Sequence, residues 1–143
     1  MIPIKPSDAI WTDEQWNAIY DKGHNIIVSA GAGSGKTAVL SERVIENLKS
    51  GMSIKEVLLL TFTKAASLEM KTRIRNKIKK NPSLSKELSL IDEAYITTFD
   101  SFALSIVKKY HYILNISPNV SIIDGSLIRI KKKEILTNIF DKY

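Results

Sequence analysis

The chain has 143 residues, is 44% hydrophobic, contains no cysteine and carries a formal net charge of +6 at pH 7. This length suits about one globular domain, and the lack of cysteine excludes disulfides and thiolate metal sites. The sequence has no apolar run of about 18 residues and no signal-peptide layout at its N-terminus, so we expect a cytoplasmic protein without a membrane segment.

The first predicted element is a helix that begins after Thr12. Thr12 and Gln15 form the two ends of a capping box, and Gly23 is placed to end the helix. Residues 24–29 are rich in β-branched side chains, which predicts a buried strand. Residues 38–48 repeat their apolar side chains at helical spacing, which predicts a second helix.

Between that strand and that helix, residues 29–40 read SAGAGSGKTAVL. Glycines at a strand-to-helix turn let the backbone curl around an anion, and the first N–H groups of the helix then face bound phosphates. Lys36 can reach the outer phosphates, and the Thr37 hydroxyl can hold Mg²⁺. The strict pattern G-x-x-x-x-G-K-[ST] has alanine at its first position here, Ala30, and a flexible Gly-Ser loop is the alternative interpretation.

Residues 55–62 and 94–99 are predicted as two more buried strands, each followed by a helix. Residues 81–85 contain a proline and two serines and are predicted as a loop, and a last helix is predicted from Ser126. Strands that alternate with helices indicate an α/β fold with a parallel sheet, whose ligands bind at the carboxyl ends of the strands.

The loops after the second and third predicted strands combine hydroxyl groups with an aromatic ring. Thr61, Thr63 and Ser101 can donate hydrogen bonds to phosphate or sugar oxygens. Phe62 and Phe99 can stack on unpaired bases. In the alternative interpretation the two rings belong to the core and the hydroxyl groups cap helices.

Basic residues are concentrated in two runs, 71–80 and 129–133. Such runs suit a polyanionic partner, but they are also typical of a solvated helix face. The sequence leaves both interpretations of the 71–80 run open.

Four segments resemble successive motifs of the UvrD/Rep-type superfamily 1 DNA helicases, in that family's order and spacing: TDEQ at 12–15, AGAGSGKT at 30–37, TFTKAASLEM at 61–70 and TTFDSF at 97–102. The family's loop reads A-x-x-G-x-G-K-T, so Ala30 fits it. Residues 11–19 and 25–40 are most similar to the helicase–nuclease subunits of bacterial double-strand-break repair complexes. A UvrD/Rep/PcrA-like helicase without a nuclease is the alternative within the family.

The resemblance implies a fold and two domains. Residues 1–114 would be the N-terminal portion of a P-loop NTPase (RecA-like) domain, in which helices flank a parallel sheet. The domain would be truncated in this chain. Residues 115–143 would begin an inserted helical subdomain.

The resemblance also implies site residues, with ATP and Mg²⁺ as cofactors. Gln15 would read the adenine edge, Lys36 would stabilise the β- and γ-phosphates, and Thr37 would be the Mg²⁺ ligand. The other implied nucleotide contacts are Ala30, Gly31, Ala32, Gly33, Ser34, Gly35 and Ala38. The implied DNA contacts are Thr61, Phe62, Thr63, Lys64, Thr98 and Ser101.

Two features depart from the family pattern. Asp100 stands where the family usually has histidine; a carboxylate repels phosphate, so we expect it to cap a helix instead. The family's apolar strand ending in Asp-Glu is not found, and the nearest match, Ile91-Asp92-Glu93, follows a polar loop.

Family members are far longer than this chain, so we expect the N-terminal piece of a larger protein. That protein would use ATP hydrolysis to step along single-stranded DNA, and its DNA partners would be single-stranded and double-stranded. Its protein partner would be a second helicase–nuclease subunit. The isolated chain is expected to hydrolyse ATP negligibly. Two other classes stay open: a small P-loop kinase, and a non-catalytic module that binds DNA through residues 71–80.

Overall fold

The computed structural model describes residues 2–123 and 125–142. The chain divides into two compact units, the first ending at Phe99 and the second beginning at Asp100. The predicted domain boundary between residues 114 and 115 stays a prediction.

The elements of the first unit follow one another as two helices, a strand, two more helices and a second strand. In chain order they are α1 (Asp13–Tyr20), α2 (Lys36–Lys49), β1 (Leu58–Thr61), α3 (Lys64–Lys79), α4 (Ser85–Leu90) and β2 (Tyr95–Thr98), with short 3-10 turns at Ile54–Glu56 and Pro82–Leu84. Helix α5 (Phe99–Lys109) follows β2 directly, and α6 (Gly125–Phe140) is the last element described.

The two strands form a parallel pair, with Leu58 opposite Tyr95 and Thr61 opposite Thr98. Helix α3 is part of the connection between them, as a parallel pair requires. The carboxyl ends of both strands therefore lie at the same edge of the sheet. The sequence predicted both strands and their parallel arrangement, and the α/β class is confirmed.

The core lies around the sheet, α2 and α3. The buried side chains of α3 recur every four residues, at Met70, Ile74 and Ile78, so they form one stripe along the helix. They join Ile45 of α2 and Ile96 of β2 in a single hydrophobic cluster. This cluster packs the second half of α2 and the helix α3 against the two strands.

The strand predicted over residues 24–29 is wrong. These residues have no strand assignment, and the side chain of Ile27 is 95% exposed. A strand needs a neighbour to complete its backbone hydrogen bonds, and within the described residues the sheet contains only β1 and β2. The β-branched composition indicates strand propensity but cannot supply that neighbour.

The loop predicted over residues 81–85 is also only partly right. Pro82 stands at the start of the 3-10 turn, where its missing N–H costs nothing, and α4 begins at Ser85. Leu84 is buried in the core, and this anchor turns a polar connection into ordered structure.

The second unit consists mainly of α5 and α6, and none of its described residues is buried. Helix α5 begins at Phe99, so Asp100 lies in its first turn rather than at the predicted cap position. A carboxylate there still interacts favourably with the positive end of the helix. No described helix is long and apolar enough to cross a bilayer.

Candidate functional site

The glycine-rich loop (residues 30–35) leads directly into α2. Gly35 occupies the N-cap position with φ 83° and ψ 13°, and Gly33 also has a positive φ, 78°. Both values lie in the left-handed region that favours glycine. No side chain caps this end of α2. Because the first N–H groups of a helix lack intrahelical partners, the start of α2 offers hydrogen-bond donors of the kind that anions accept from.

Lys36 is folded back over the same loop. Its Nζ donates to the carbonyl oxygens of Ala30 and Gly31, each at 2.6 Å. Ser34 Oγ also donates to Gly31 O, at 2.8 Å. The ammonium group of Lys36 thus lies directly over the loop, where its positive charge would attract an anion. The exposed side chain of Thr37 follows in the first turn of α2.

Gln15 uses both ends of its side-chain amide. Its Oε1 accepts from the N–H of Thr12 at 3.0 Å, while the N–H of Gln15 donates to Thr12 Oγ1 at 3.3 Å, so the predicted capping box is confirmed. Its Nε2 donates to the carbonyl of Ser34 at 3.1 Å. A glutamate would preserve the cap but has no N–H for Ser34, which explains why an amide is useful here.

These groups border one cavity of about 280 Å³. Its lining includes one residue of α1 and three from the glycine-rich loop and the start of α2: Gln15, Ala30, Ser34 and Lys36. The other lining residues are Thr12, Glu14, Ala18, Val28, Ser29 and Val39. An apolar wall with a few convergent polar groups is typical of a small-molecule site. The remaining predicted loop contacts, Gly31, Ala32, Gly33, Gly35, Thr37 and Ala38, do not line this cavity.

The loops after β1 and β2 show that Phe62 is not a core residue. Its side chain is 93% exposed, that of Phe99 is 54% exposed, and the two ring centroids lie 6.0 Å apart. The core interpretation is therefore wrong for Phe62. Two accessible rings at one edge of the sheet provide a surface on which a flat group can stack.

The hydroxyl groups of these loops partly serve the backbone. Thr63 caps α3, accepting from the N–H of Ala66 at 3.1 Å, and Thr61 Oγ1 donates to the carbonyl of Thr63 at 3.0 Å. Lys64 is exposed at the start of α3, whereas Thr98 is buried. Ser101 belongs to the second unit, so the structure does not place it with the other predicted DNA contacts.

Part of the basic run at 71–80 is bound to one carboxylate. Lys71 and Arg75 lie 3.2 Å and 2.5 Å from Asp92. The hydrogen bond from Lys71, together with the charge of Arg75, lowers the pKa of the Asp92 carboxyl. Asp92 and Glu93 precede β2, at the opposite end of the strand from Thr98, and Glu93 pairs with Lys55 at 2.6 Å.

Two more members of this run also have acidic partners. Arg73 pairs with Glu69 at 3.0 Å, and Lys77 pairs with Glu42 of α2. Four of the basic side chains in residues 71–80 are therefore engaged within the chain, which favours the solvated-face interpretation over a polyanion site. A groove of about 690 Å³ follows the outer side of α3, but its lining contains no predicted site residue.

Arg43 of α2 was not predicted from the sequence. It donates to two backbone carbonyls near the end of α1, those of Ala18 and Ile19. No motif could have revealed it, because its partners are backbone atoms 24 and 25 positions earlier.

Residues 11–143 match the model of a protein family that is described as "UvrD/REP helicase N-terminal domain". The chain is 41% identical to the A subunit of the ATP-dependent helicase/nuclease from Anoxybacillus flavithermus, with 100% of this chain and 13% of the relative covered. It is 42% identical to the protein of the same name from Lysinibacillus sphaericus, with 98% and 12% covered. For the Heliobacterium modesticaldum protein the identity is 40%, with 96% and 10% covered.

The chain thus spans 10–13% of the length of these three relatives. Their shared name is that of the AddA (RexA) helicase–nuclease subunits, so the similarity predicted from residues 11–19 and 25–40 is confirmed. Since the matched region includes every motif described above, the chain belongs to the UvrD/REP helicase family and contains its N-terminal domain.

Proposed function

We propose that this chain is the ATP-binding part of an AddA-type DNA helicase, with a RecA-like P-loop fold. The whole protein would bind Mg-ATP and single-stranded DNA and couple ATP hydrolysis to DNA unwinding in double-strand-break repair. The observation that carries this proposal is the double contact of Gln15, which caps α1 and also holds the carbonyl of Ser34 beside Lys36. It joins a candidate base reader to a candidate phosphate loop.

The nucleotide would bind along the 280 Å³ cavity and the glycine-rich loop. The loop N–H groups and Lys36 would hold the phosphates, and Gln15 would hydrogen-bond the adenine edge beside the apolar wall formed by Val28 and Val39. These residues fit ATP because flat apolar and charged polar surfaces lie next to each other.

The Thr37 hydroxyl would hold Mg²⁺ together with phosphate oxygens. No cluster of three His, Asp or Glu that could hold a metal occurs among the described residues, so in this chain Thr37 would act together with phosphate oxygens and water. This suits Mg²⁺, which protein sites commonly bind through few side chains plus substrate phosphates. The ion would neutralise charge on the β- and γ-phosphates.

Single-stranded DNA would bind across the carboxyl edge of the sheet. Phe62 offers an exposed ring for base stacking, and Lys64 offers a cation for the phosphate backbone. Thr61 and Thr63 complete the proposed contacts on the first unit. Thr98, which is buried, and Ser101, which belongs to the second unit, stay contacts that only the resemblance implies. Thr63 can cap α3 and still donate its hydroxyl proton, because the cap uses only an oxygen lone pair.

The rest of the proposal concerns the whole protein. Nuclease activity would reside in another part of it, and its partner would be of the AddB/RexB type. We propose a cytoplasmic location, where bacterial DNA is repaired. The isolated chain is expected to hydrolyse ATP negligibly, and a rate near that of an intact helicase would contradict this.

Calorimetric titration with Mg-ATP and Mg-GTP tests the nucleotide site. We expect tighter binding of ATP, loss of binding in Lys36→Ala, and loss of the preference in both Gln15→Ala and Gln15→Glu. The glutamate variant keeps the capping box but removes the Nε2 donor, which separates base reading from helix stability.

Lys49→Ala is the matched control, because it removes a lysine from the opposite end of α2. The proposal fails if the folded chain binds neither nucleotide, or if Lys36→Ala and Lys49→Ala have the same effect.

A further inference from the structure

Arg43 joins the two helices that form the candidate nucleotide site. It lies on α2, seven positions after Lys36, and its Nη1 donates to Ala18 O at 2.7 Å and to Ile19 O at 3.4 Å. Both acceptors belong to α1, the helix that carries Gln15. One guanidinium therefore connects the helix of the glycine-rich loop with the helix of the candidate base reader.

The end of α1 needs a donor of this kind. The carbonyl of Asn17 accepts from the N–H of Asp21, but the last carbonyls of a helix have no intrahelical partners. Helix α1 has no basic residue in its own last turn. Arg43 supplies both the missing hydrogen bonds and a positive charge at the negative end of the helix.

The same short helix is held at its other end by Gln15. The Nε2 of Gln15 reaches Ser34 O, while Ile19 is fully buried and Trp16 is nearly so. A helix of eight residues fixed at both ends cannot slide or rotate on α2 without breaking one of these contacts. The position of the Gln15 amide over the glycine-rich loop thus depends on the hydrogen bonds from Arg43 to the carbonyls of Ala18 and Ile19.

We propose that Arg43 is a positioning residue for base selectivity: it holds the end of α1 so that Gln15 stays in register with the glycine-rich loop. This inference rests on the proposed function, because selectivity presupposes a nucleotide. The proposed phosphate-binding groups, which are Lys36 and the first N–H groups of α2, lie on α2 itself, so they do not depend on the hydrogen bonds from Arg43 to α1. Loss of Arg43 should therefore affect recognition of the base and spare recognition of the phosphates.

Arg43→Met tests this, because methionine keeps an apolar stem and removes the donors. We expect the ratio of ATP affinity to GTP affinity to fall about fivefold to tenfold, the change for one lost hydrogen bond. Affinity for Mg-tripolyphosphate, which has no base, should stay at the wild-type value. Arg43→Lys keeps a charge and one donor group and should give an intermediate ratio. Lys49→Met, on the same helix, should leave the ratio unchanged.

A double variant separates positioning from general stability. In a Gln15→Ala background, Arg43→Met should have no further effect on the ratio, since the group that it positions is already absent. An Arg43→Met variant that weakens ATP, GTP and tripolyphosphate equally would overturn the proposal. So would an unchanged ratio in Arg43→Met.

The side-chain amide resonance of Gln15 provides a test without nucleotide. Its chemical shift should move in Arg43→Met and stay in place in Lys49→Met, because only the first change releases the contact with Ser34. If wild-type chain binds no nucleotide, the proposed function fails, and this resonance still decides whether Arg43 positions Gln15. An unmoved resonance in folded Arg43→Met refutes the positioning role.

Discussion

Alanine substitutions at the three glycines of the glycine-rich loop should have three different effects on stability. A Cβ at Gly31 meets no atom within 4 Å, and its φ lies outside the left-handed region. A Cβ at Gly33 also meets no atom, but φ there is +78°. At Gly35 φ is +83°, and a Cβ would lie 3.3 Å from Gln15 Nε2.

The magnitudes follow from these environments. Gly31→Ala should be neutral or stabilise by up to about 1 kcal/mol, because alanine restricts the unfolded chain. Gly33→Ala should destabilise by about 1–2 kcal/mol, the cost of a left-handed backbone with a Cβ. Gly35→Ala carries the same strain and also pushes Gln15 from Ser34 by a few tenths of an ångström, which adds about 0.5–1.5 kcal/mol for a weakened hydrogen bond.

Urea unfolding followed by tryptophan fluorescence measures these differences, and the only two tryptophans, Trp11 and Trp16, lie at α1. Repeating the series in a Gln15→Ala background isolates the contact. There Gly33→Ala and Gly35→Ala should cost the same. The reasoning is refuted if Gly31→Ala is as destabilising as Gly33→Ala, or if the additional cost at Gly35 survives the removal of Gln15.

Three further measurements test the rest of the structure. The lowered pKa of Asp92 means that its carboxylate stabilises the fold above its unfolded pKa of about 3.9 and loses this effect as pH falls through the folded value. Asp92→Asn should therefore reduce the loss of unfolding free energy at acid pH. An unchanged dependence of the unfolding free energy on pH would contradict the pairing with Lys71. Phe62→Ala should weaken oligo-dT binding by about 1–3 kcal/mol in anisotropy titrations while the unfolding free energy stays constant, and equal binding would exclude base stacking. Ile27→Ala should change the unfolding free energy by less than about 0.5 kcal/mol and Ile96→Ala by about 2–5 kcal/mol; similar large losses would show that residue 27 is buried.

The features that the sequence predicted well are local ones. The capping box of Thr12 and Gln15 depends on two residues three positions apart, and the helix predicted over residues 38–48, which lies within α2, depends on apolar side chains at helical spacing. Such patterns contain most of the information that fixes the element. The strands Leu58–Thr61 and Tyr95–Thr98 were also found, because each apolar run is short and each is followed by a helix.

The features that the sequence missed depend on distant partners. Residues 24–29 have the composition of a strand, but the neighbour that would make them one is not visible in their composition. The basic run at 71–80 allowed two interpretations until Asp92 and Glu42 were seen beside it. The partners of Arg43 are backbone carbonyls, which every residue possesses, so no residue type marks them.

The candidate site combines both kinds of information, and this combination favours the proposed phosphate-binding loop over a flexible Gly-Ser connection. A flexible connection explains the glycines but requires no particular contact with the rest of the chain. Here Gly35, in the left-handed conformation, is the N-cap of α2, a helix with one buried face, and the amide of Gln15, 19 positions before Ser34, bonds to the loop. Since the cap at Thr12 needs only the oxygen of that amide, the nitrogen contact is an additional constraint on the loop. A loop that is constrained from outside, and whose side chain at residue 36 is a cation folded onto it, fits the anion site that we propose.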